Sequence, residues 1–371
     1  MNNFKINSPE NIMKVLAVTG ASGGHIFPAL SFLDSLKDKH RDASALLVLP
    51  EKVLGTGIIP DGYNVSYISI WAVNPGLNPE SFFALLRFFR GAWQSLILIL
   101  KFRPDVVVGF GSIASVPVVL WAWFFRIKTV IHEQNVLPGR ANRLLAKFSD
   151  KIAVSFQESR DFFKGSSGKV VFTGNPIRKG LKRMEKDKAL AFFGLAPDKF
   201  TLLAMGGSAG SHKINLELLG AISGMRDKAR LQLIHLCGSG DYKFLEEGYK
   251  DLNVNFRLFA FLNQVGYAYS AADLVICRAG ATTLAEVMFF GLPAIIIPYP
   301  FAYGHQAANA EGLKNRGCAV VIKDSELNKD TLRQDLEEFL AGPGKIKKMR
   351  AGYDNMAIPE TDGLLVTEAL K

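Results

Sequence analysis

Short apolar runs of strand length alternate with stretches of helical periodicity along nearly the whole chain. Continuous apolar runs are typical of parallel strands that are buried on both faces. Their alternation with helices predicts an α/β protein built from doubly wound parallel sheets. The predicted strands are residues 13–19, 45–49, 65–69, 105–109, 129–132, 151–155, 170–173, 200–205, 231–237, 256–259, 274–277 and 294–297.

The pattern breaks near the middle of the chain, which predicts two domains. Gly174 and Pro176 interrupt the last apolar run of the first half, and basic residues follow them. A chain of 371 residues also suits two domains of ordinary size. We therefore predict one domain over residues 1–177 and a second over residues 178–354. The remaining segment, 355–371, contains a final helix that is predicted to pack back on the first domain.

Composition limits the compartment and the partners of the protein. The formal net charge is +10, which suits an acidic partner such as a phosphate group or an anionic membrane surface. Since no long basic tract or nucleic-acid motif occurs, no nucleic-acid partner is predicted. Cys237, Cys277 and Cys318 lie far apart in or beside apolar runs, which favours buried thiols in a reducing cytosol. The lack of an apolar signal core before Ile12 also predicts a cytoplasmic location.

The segment 78–101 has an amphipathic pattern that leaves two interpretations open. Asn78 and Pro79 suit the start of a helix. Arg87 and Arg90 belong to a narrow polar stripe, and the rest of the helix is apolar and rich in aromatic residues. This pattern is typical of a helix that lies in a membrane interface, where anionic headgroups add to its binding. The alternative is a helix covered by the sheet on one side and by a neighbour on the other.

Three predicted strands end in glycine-rich loops that lead into helices. Such loops allow a close approach to a ligand, and the N–H groups of the helix start suit a phosphate. None of the loops matches GxGxxG, so a dinucleotide cofactor is not indicated. His25 lies where the first loop leads into its helix. It is either a polar cap of that helix or a general base. The loops are GASGGH at 20–25, GFGSIAS at 109–115 and GGSAGS at 206–211.

Polar residues gather at three further places. The HEQN cluster at 132–135 directly follows a buried strand, and it either binds a sugar or caps the helix near Pro138. The segment Thr283–Glu286 fits a capping box, in which Glu286 would bind the start of its own helix. The alternative is that this carboxylate binds the hydroxyls of a ribose. Arg178, beside the predicted domain boundary, is either an ordinary surface residue or a residue that binds a phosphate group.

Six motifs in this order resemble the MurG family of N-acetylglucosamine transferases, which belongs to glycosyltransferase family 28. The resemblance covers nearly the whole chain and implies a GT-B fold, in which two Rossmann-like doubly wound domains face each other across a cleft. It also implies that the enzyme needs neither a cofactor nor a metal ion. The motifs are GASGGHIFP at 20–28, HEQN at 132–135, TGNPIR at 173–178, GGSAG at 206–210, CRAGATTLAE at 277–286 and HQAANA at 305–310.

The resemblance implies an activity at a membrane. The expected reaction is the inverting transfer of N-acetylglucosamine from UDP-GlcNAc to the C4 hydroxyl of N-acetylmuramic acid in lipid I, the undecaprenyl-diphosphate-linked MurNAc-pentapeptide. The product would be lipid II, a precursor of peptidoglycan. The enzyme would lie peripherally on the cytoplasmic face of the plasma membrane, docked on anionic lipids by the helix at 78–101. Alternatives are a diacylglycerol glycosyltransferase of the same fold and a non-catalytic membrane scaffold that binds a nucleotide sugar.

The resemblance also implies roles for individual residues. His25 is the candidate base, with Glu133 behind it. Glu286 would bind the ribose, and the backbone of Leu262 would bind the uracil. The full set predicted for UDP-GlcNAc is Ser22, Gly23, Gly24, Asn135, Arg178, Gly207, Ser208, Leu262, Thr283, Glu286, His305 and Gln306. The predicted loops for the acceptor diphosphate contain Gly109, Gly111 and Ser112, with Gly23 and Gly24 also facing that group.

Two positions depart from the family pattern. Gly304 stands where many members carry an acidic residue, and Ser112 replaces a glycine. The first departure concerns contacts with the donor sugar and the second concerns the acceptor loop, so neither changes the predicted nucleotide site.

Overall fold

The computed structural model describes residues 12–56, 59–70, 79–207, 210–301, 304–354, 356 and 363–371, with side chains from residue 83 onward in the helix that begins at 79. The described chain forms two compact units. The first contains the residues up to Gln134, residues 138–176 and the C-terminal segment. The second contains residues 135–137 and the chain from Ile177 to residue 356.

The first unit is built on a parallel sheet with the strand order β3-β2-β1-β4-β5-β6-β7. Its strands are β1 Lys14–Val18, β2 Ser44–Pro50, β3 Val65–Ile68, β4 Val106–Gly109, β5 Lys128–Glu133, β6 Lys151–Val154 and β7 Val170–Phe172. Its helices up to residue 176 are α1 Gly23–Lys39, α2 Pro79–Phe102, α3 Ser112–Phe124 and α4 Arg140–Leu145, and 3-10 turns cover 51–53 and 157–169. Apolar side chains fill both faces of the sheet, as continuous apolar strands require.

The second unit repeats this plan with the strand order β10-β9-β8-β11-β12-β13, again all parallel. Its strands are β8 Phe200–Met205, β9 Leu231–Leu236, β10 Asn255–Phe259, β11 Leu274–Cys277, β12 Ala294–Ile296 and β13 Ala319–Val321. Its helices are α5 Lys186–Phe193, α6 His212–Gly224, α7 Tyr242–Lys250, α8 Val265–Ala271, α9 Ala281–Phe290, α10 His305–Asn315, α11 Lys329–Ala341 and α12 Gly344–Ala351, and a 3-10 turn covers 228–230. Strand β13 was not predicted from the sequence.

Each sheet has a point at which the winding of the chain reverses. In the first sheet this point lies between β1 and β4, and in the second it lies between β8 and β11. In open α/β sheets, ligands bind beyond the carboxyl ends of the strands at such a switch point. The three predicted glycine loops follow β1, β4 and β8, so all of them lie at these two places.

The C-terminal helix α13, Leu364–Leu370, belongs to the first unit. Leu365, Val366 and Ala369 are buried in the core that covers one face of the sheet, together with side chains of α1. Lys151 Nζ also donates hydrogen bonds to the Glu368 carbonyl (2.8 Å) and carboxylate (3.0 Å). Helix α13 therefore completes the core of the unit that contains α1.

Helix α2 lies closely against the first unit along one narrow face. An added Cβ at Gly91 would overlap the side chain of Ile70, and Trp121 Nε1 donates to Ala92 O at 2.9 Å. The opposite face is open, since Phe89 is 62% and Trp93 64% exposed. Among the described residues of the first unit, no element covers this face, so the structure lends no support to the alternative of a helix covered on both sides.

By length and composition, Phe83–Phe102 is the one helix among the described residues that could span a membrane. Arg87 and Arg90 lie within it, and charged side chains in the middle of a span are costly. These two residues therefore argue against a transmembrane position of this helix.

Each unit buries a histidine that is neutral at pH 7. Burial lowers the pKa of His132 to about 4 and that of His235 to about 3. His235 is held by the Tyr249 hydroxyl at Nδ1 and by Asn215 Oδ1 at Nε2, both at 3.0 Å. Because Asn215 Oδ1 can only accept, Nε2 of His235 carries the hydrogen and Nδ1 accepts from the tyrosine.

These histidines predict a loss of stability in acid. The unfolded chain takes up protons as the pH falls below about 6.5, while the folded chain excludes them until about pH 3–4, so the free energy of unfolding falls across this interval. In the wild type, His235 should make the free energy of unfolding lower at about pH 5 than at about pH 7.5, by on the order of 2 kcal/mol. Glutamine can keep both hydrogen bonds but does not titrate. We therefore expect His235→Gln to lose this part of the pH dependence. Urea unfolding followed by circular dichroism measures this difference.

The matched control is His40→Gln, since His40 is exposed at the end of α1. It should leave the acid dependence as in the wild type. An unchanged acid dependence in His235→Gln would contradict the assignment of His235 as a buried neutral group.

Candidate active site

The carboxyl edge of the first sheet brings His25 against two glycine loops. His25 lies in the first turn of α1, whose N-cap is Ser22. An added Cβ at Gly20 would lie 3.1 Å from His25 Cδ2, and one at Gly111 would lie 3.4 Å from His25 Cε1. The absence of side chains at these glycines makes room for the imidazole. The predicted residues Ser22 and Gly24 are exposed beside it, and Gly23 is half-buried.

The start of α1 offers backbone donors at the same edge. Within this turn, the described hydrogen bonds begin with the amides of His25 and Ile26, both of which donate to Ser22 O. The amides of Gly23 and Gly24 precede that ladder, as expected for the first donors of a helix. With the partial positive charge of the helix end, they suit an anion.

The loop after β4 has an unusual backbone. Gly111 has a φ of 81° and Ser112 a φ of 70°, so both lie in the left-handed region. For Ser112 this conformation costs roughly 1–2 kcal/mol, which explains why a glycine suits this position in the family. Gly109 ends β4, and an added Cβ there would lie 3.0 Å from Val119 Cγ2 of α3. Strand and helix therefore meet closely at the base of this loop.

The polar residues at the end of β5 are buried and fully used. Glu133 Oε2 accepts from Gly139 N at 3.0 Å and from Asn142 Nδ2 at 2.8 Å, which fixes the loop that leads into α4. The side chain that hydrogen-bonds His25 Nδ1 is Gln134, through Oε1 at 3.1 Å. The sequence assigned Gln134 only to the HEQN cluster and predicted no contact with His25. The alternation of side chains along a strand was the available signal, since it points Gln134 and Glu133 to opposite faces.

Two buried oxygen atoms at this edge have no hydrogen-bond partner among the described residues. They are Thr19 Oγ1, directly after β1, and Asn142 Oδ1, at the start of α4. Buried polar atoms nearly always have a partner in the protein or in bound water.

At the corresponding edge of the second sheet, two positions after β8 have no room for a side chain. An added Cβ at Gly206 would overlap Ser211 N, and one at Gly210 would overlap Cys237 O. Gly207 and Gly210 have φ values of 95° and 78°. The predicted residue Ser208 lies outside the described residues, and Gly207 is exposed. The backbone of Gly207 is therefore accessible shortly before α6 begins.

Arg278 braces this edge, a role that sequence reasoning missed. Its Nη1 donates to Asp324 Oδ1 at 2.6 Å and its Nη2 donates to Ser211 Oγ at 2.8 Å. The guanidinium also lies over the ring of Tyr299, 5.6 Å from its centroid. The arginine directly after β11 therefore connects the loops that follow β8, β12 and β13.

The capping-box interpretation of Thr283 and Glu286 is wrong. Helix α9 begins at Ala281 with Gly280 as its N-cap, so Thr283 lies within the first turn. Glu286 is 1% exposed and accepts from Arg178 Nε at 2.9 Å and Nη2 at 3.2 Å. The Tyr269 hydroxyl donates to the same carboxylate at 2.8 Å. Burial, together with Glu286, holds the pKa of Tyr269 well above its usual value, so Tyr269 remains a neutral donor.

The start of α10 gathers three of the predicted donor residues with one that was missed. His305 Nδ1 lies 2.8 Å from Leu137 O, and Gln306 Oε1 accepts from two loop amides, Ala279 N at 3.0 Å and Tyr299 N at 2.9 Å. Asn309 is fully buried. Its side chain accepts from Val136 N at 2.8 Å and donates to Asn135 Oδ1 at 3.0 Å and to Ala279 O.

Asn309 therefore holds the segment 135–137 to the rest of the second unit and brings Asn135 to the same helix start as His305. The N-cap of this helix, Gly304, has a φ of 78°, which explains physically why a glycine is tolerated where many members carry an acidic residue. The other predicted residue, Leu262, is half-buried in the turn after β10. Among the described residues, no group of three or more His, Cys, Asp or Glu side chains is placed to hold a metal ion.

Comparison with known proteins gives the family. Residues 15–154 match the glycosyltransferase family 28 N-terminal domain, and residues 201–359 match the glycosyltransferase family 28 C-terminal domain. Together these matches cover well over half of the chain. The chain belongs to glycosyltransferase family 28. It is therefore a glycosyltransferase, and the resemblance drawn from the six motifs is confirmed.

Relatives of this family 28 enzyme share one name. A protein of Halothermothrix orenii is 38% identical over 95% of this chain and 97% of its own length. A protein of Halalkalibacterium halodurans is 35% identical over 97% of this chain and 100% of its own length. Both are named UDP-N-acetylglucosamine–N-acetylmuramyl-(pentapeptide) pyrophosphoryl-undecaprenol N-acetylglucosamine transferase.

Solved structures agree on the fold. The crystal structure of Acinetobacter baumannii MurG is similar with a TM-score of 0.76 at 24% identity, over 96% of this chain and 99% of that one. A UDP-GlcNAc 2-epimerase from Neisseria meningitidis, solved with UDP-GlcNAc bound, gives a TM-score of 0.64 at 16% identity, over 96% of this chain and 100% of that one. The predicted GT-B fold class is confirmed.

The buried pair Arg178–Glu286 predicts strong energetic coupling. Arg178→Met would leave the Glu286 carboxylate buried with only Tyr269 as a charge-stabilising donor. We expect it to lower the free energy of unfolding by about 2–4 kcal/mol, with allowance for the partial exposure of the arginine. Adding Glu286→Gln should restore part of this loss because it removes the uncompensated charge. Urea unfolding of the four variants gives the coupling energy.

The exposed pair Lys314–Glu311 on α10 is the matched control. Its double-mutant cycle should give a coupling of less than about 0.5 kcal/mol. A coupling as small as this for Arg178 and Glu286 would mean that their contact contributes no more than a surface ion pair.

Proposed function

We propose that this enzyme transfers N-acetylglucosamine from UDP-GlcNAc to the C4 hydroxyl of N-acetylmuramic acid in lipid I, the undecaprenyl-diphosphate-linked MurNAc-pentapeptide. The product is lipid II, the lipid-linked disaccharide precursor of peptidoglycan. One observation carries the proposal: both units match family 28, and relatives named for this transfer align over nearly the whole chain. The geometry of the two sheet edges supplies the chemistry.

The second unit binds the donor in this proposal. Its switch point between β8 and β11 offers the amides of Gly206 and Gly207 and the start of α9, where Thr283 lies in the first turn. Amide donors and a helix start stabilise a diphosphate, and they do so most strongly as negative charge develops on the leaving UDP. Ser208 and Arg178 add a hydroxyl and a guanidinium, and the backbone of Leu262 binds the uracil.

Glu286 binds the ribose, which requires an exchange of partners. A carboxylate has about four acceptor positions, and Arg178 with Tyr269 occupies three of them in the hydrogen bonds described above. Two ribose hydroxyls need two positions. Rotation of Arg178 away from Glu286 frees them and brings the guanidinium to the diphosphate, while Tyr269 continues to hold the carboxylate in place.

Asn135, His305 and Gln306 bind the donor sugar. Asn135 and His305 meet at the start of α10, where Asn309 and the carbonyl of Leu137 orient them. Gln306 fixes the two neighbouring loops through its carbonyl oxygen. An amide, an imidazole and the amides of a helix start are suitable partners for the hydroxyl and acetamido groups of the sugar.

The first unit binds the acceptor and supplies the base. The loops at Gly23, Gly24, Gly109, Gly111 and Ser112 offer helix-start amides to its diphosphate. His25 takes the proton of the C4 hydroxyl as the oxygen attacks the anomeric carbon and the bond to UDP breaks. A single displacement of this kind inverts the anomeric configuration from α to β. Glu133 supports the loop beside the base through Gly139 and Asn142.

Helix α2 docks the enzyme on the membrane that contains the lipid acceptor. Its exposed face forms an apolar surface with two arginines, which we call the α2 patch: Phe83, Leu86, Arg87, Phe89, Arg90 and Trp93. Exposed aromatic residues continue at the end of α3 with Trp123 and Phe124. Aromatic and basic residues on one open face are typical of an interfacial helix that prefers anionic lipids. We place the enzyme peripherally on the cytoplasmic face of the plasma membrane.

The activity is tested with the purified full-length protein, UDP-GlcNAc and lipid I. We expect transfer to lipid I and none to diacylglycerol. His25→Ala should lower kcat by about 10²–10⁴, the usual contribution of a general base, and leave vesicle binding unchanged. His40→Ala on the same helix is the control and should keep wild-type turnover. Transfer to diacylglycerol instead would support the rival glycosyltransferase, and full activity of His25→Ala would remove His25 as the base.

Membrane docking is tested with vesicles of phosphatidylcholine, with and without phosphatidylglycerol. Replacing Phe89 and Trp93 together by Gln should weaken binding to both vesicle types by at least about tenfold, since each side chain contributes roughly 1–2 kcal/mol when buried. Replacing Arg87 and Arg90 together by Gln should weaken only the preference for anionic vesicles, by about 1 kcal/mol per residue. Co-sedimentation measures both effects.

The control is Phe244→Gln, which removes a phenylalanine of similar exposure from α7 of the second unit. Its vesicle binding should equal that of the wild type. Wild-type binding by the Phe89 and Trp93 variant would exclude the α2 patch as the docking surface.

A further inference from the structure

Gln134 is oriented by acceptors that admit only one placement of its amide. Gln134 is buried at the end of β5, and its Nε2 lies 3.2 Å from Phe110 O and 3.3 Å from His132 O. A carbonyl oxygen can only accept, so the NH₂ group must face these two atoms. The carboxamide oxygen, Oε1, is therefore the atom that faces His25 Nδ1 at 3.1 Å.

The ring of His132 fixes the same orientation independently. Its Nε2 lies 3.1 Å from Gly174 O, so this nitrogen carries the hydrogen. Its Nδ1 lies 3.1 Å from Gln134 Nε2 and accepts from it. Burial lowers the pKa of His132 to about 4, which keeps the ring neutral and its Nδ1 lone pair available at pH 7. If His132 were charged, its Nδ1 would carry a hydrogen and would face the NH₂ group of Gln134, so two donors would meet without an acceptor.

The chain of hydrogen bonds determines which nitrogen of His25 is basic. Since Gln134 Oε1 only accepts, Nδ1 of His25 must donate to it and therefore carries the hydrogen. A neutral imidazole has one N–H, so the lone pair then lies on Nε2. Free imidazole side chains favour the opposite tautomer, and in that form the nitrogen away from Gln134 would carry a hydrogen and be unable to accept a proton.

We infer that Gln134 is a positioning residue that, together with the neutral ring of His132, fixes His25 as the Nδ1–H tautomer and so presents Nε2 as the base. This inference rests on the proposed role of His25 in the transfer reaction. Gln134 acts through His25 and has no need to touch the substrate. Its effect on turnover should therefore exist only while His25 is present.

The tautomer is measured directly by NMR on the full-length protein labelled with ¹⁵N-histidine. The chain has 6 histidines, so His→Gln substitutions assign the signals. At a pH at which the rings are neutral, we expect His25 to show a protonated Nδ1 and an unprotonated Nε2, and His132 the reverse. In Gln134→Met, which keeps the shape of the side chain but neither donates nor accepts, His25 should shift toward the Nε2–H form.

Kinetics test the consequence with a double-mutant cycle. Gln134→Met should lower kcat by at least about tenfold and leave KM for UDP-GlcNAc within about twofold, because a misplaced hydrogen affects the proton transfer and not ground-state binding. In the His25→Ala background the same substitution should cause no further loss. A purely structural role for Gln134 would lower kcat in both backgrounds.

Gln232→Met is the matched control. Gln232 is fully buried in β9 and also makes hydrogen bonds with both ends of its carboxamide, to Ala196 at 2.7 and 2.9 Å and to Thr201 Oγ1 at 2.8 Å. Its substitution should lower stability but change neither kcat nor the tautomer of His25.

An Nε2–H tautomer of His25 in the wild type would overturn the inference, and this measurement needs no variant to fold. Persistence of the Nδ1–H form in Gln134→Met, or additive losses in the cycle, would overturn it as well. The absence of any transfer by the wild type would instead refute the proposed function, while the NMR result on the tautomer would stand.

Discussion

The cost of removing polar groups from water dominates the structure of both sheet edges. A buried donor or acceptor without a partner costs about 1–3 kcal/mol, and the carboxyl ends of β5 and β11 bury several such groups. The Glu133 carboxylate accepts hydrogen bonds from Gly139 and Asn142, which lie outside its strand. The Glu286 carboxylate accepts from Arg178 and Tyr269, which lie outside its helix. Hydrogen bonding therefore fixes side-chain positions as firmly as apolar packing fixes the strands.

This constraint separates what the sequence predicted from what it did not. The strands, the glycine loops and their place at strand ends follow from local patterns, because burial on both faces of a parallel sheet produces continuous apolar runs. Strand β13 was missed although residues 318–322 form a continuous apolar run, the pattern by which the other strands were predicted. The N-cap at Gly280 was missed because the sequence Thr283–Glu286, three residues further on, also fits a capping box. In the structure Glu286 does not take part in such a cap, because its carboxylate is bound by Arg178 and Tyr269.

The unpredicted roles share one physical cause. Gln134 contacts His25 across 109 residues, and Asn309 contacts Asn135 across 174 residues. No local propensity encodes such pairs, and each depends on which strands become neighbours in the sheet. The motifs HEQN and HQAANA contain these residues, so the pattern drew attention to the right segments without assigning the right side chains. Strand alternation is the local rule that distinguishes the two side chains, since it points Gln134 and Glu133 in opposite directions. It can be applied only once the position of β5 is known.

The same hydrogen-bonding constraint gives the two sheet edges different chemical characters. In the first unit, carbonyl oxygens that can only accept orient the Gln134 amide and the neutral His132 ring, and Gln134 Oε1 faces His25 Nδ1 at 3.1 Å. The inferred tautomer of His25 therefore needs no substrate to set it. In the second unit, the Glu286 carboxylate is held by one fixed neutral donor, Tyr269, and by one charged donor on a flexible side chain, Arg178.

The two arrangements differ in how readily they can change. A neutral chain of buried hydrogen bonds resists change because any rearrangement leaves a buried group unpaired. The Arg178 side chain of the second pair is 31% exposed, so water can stabilise the guanidinium when it leaves the carboxylate, and a change of partner costs less there. In the proposed reaction, the rigid chain would therefore hold the group that accepts the proton, and the adaptable ion pair would bind and release the diphosphate.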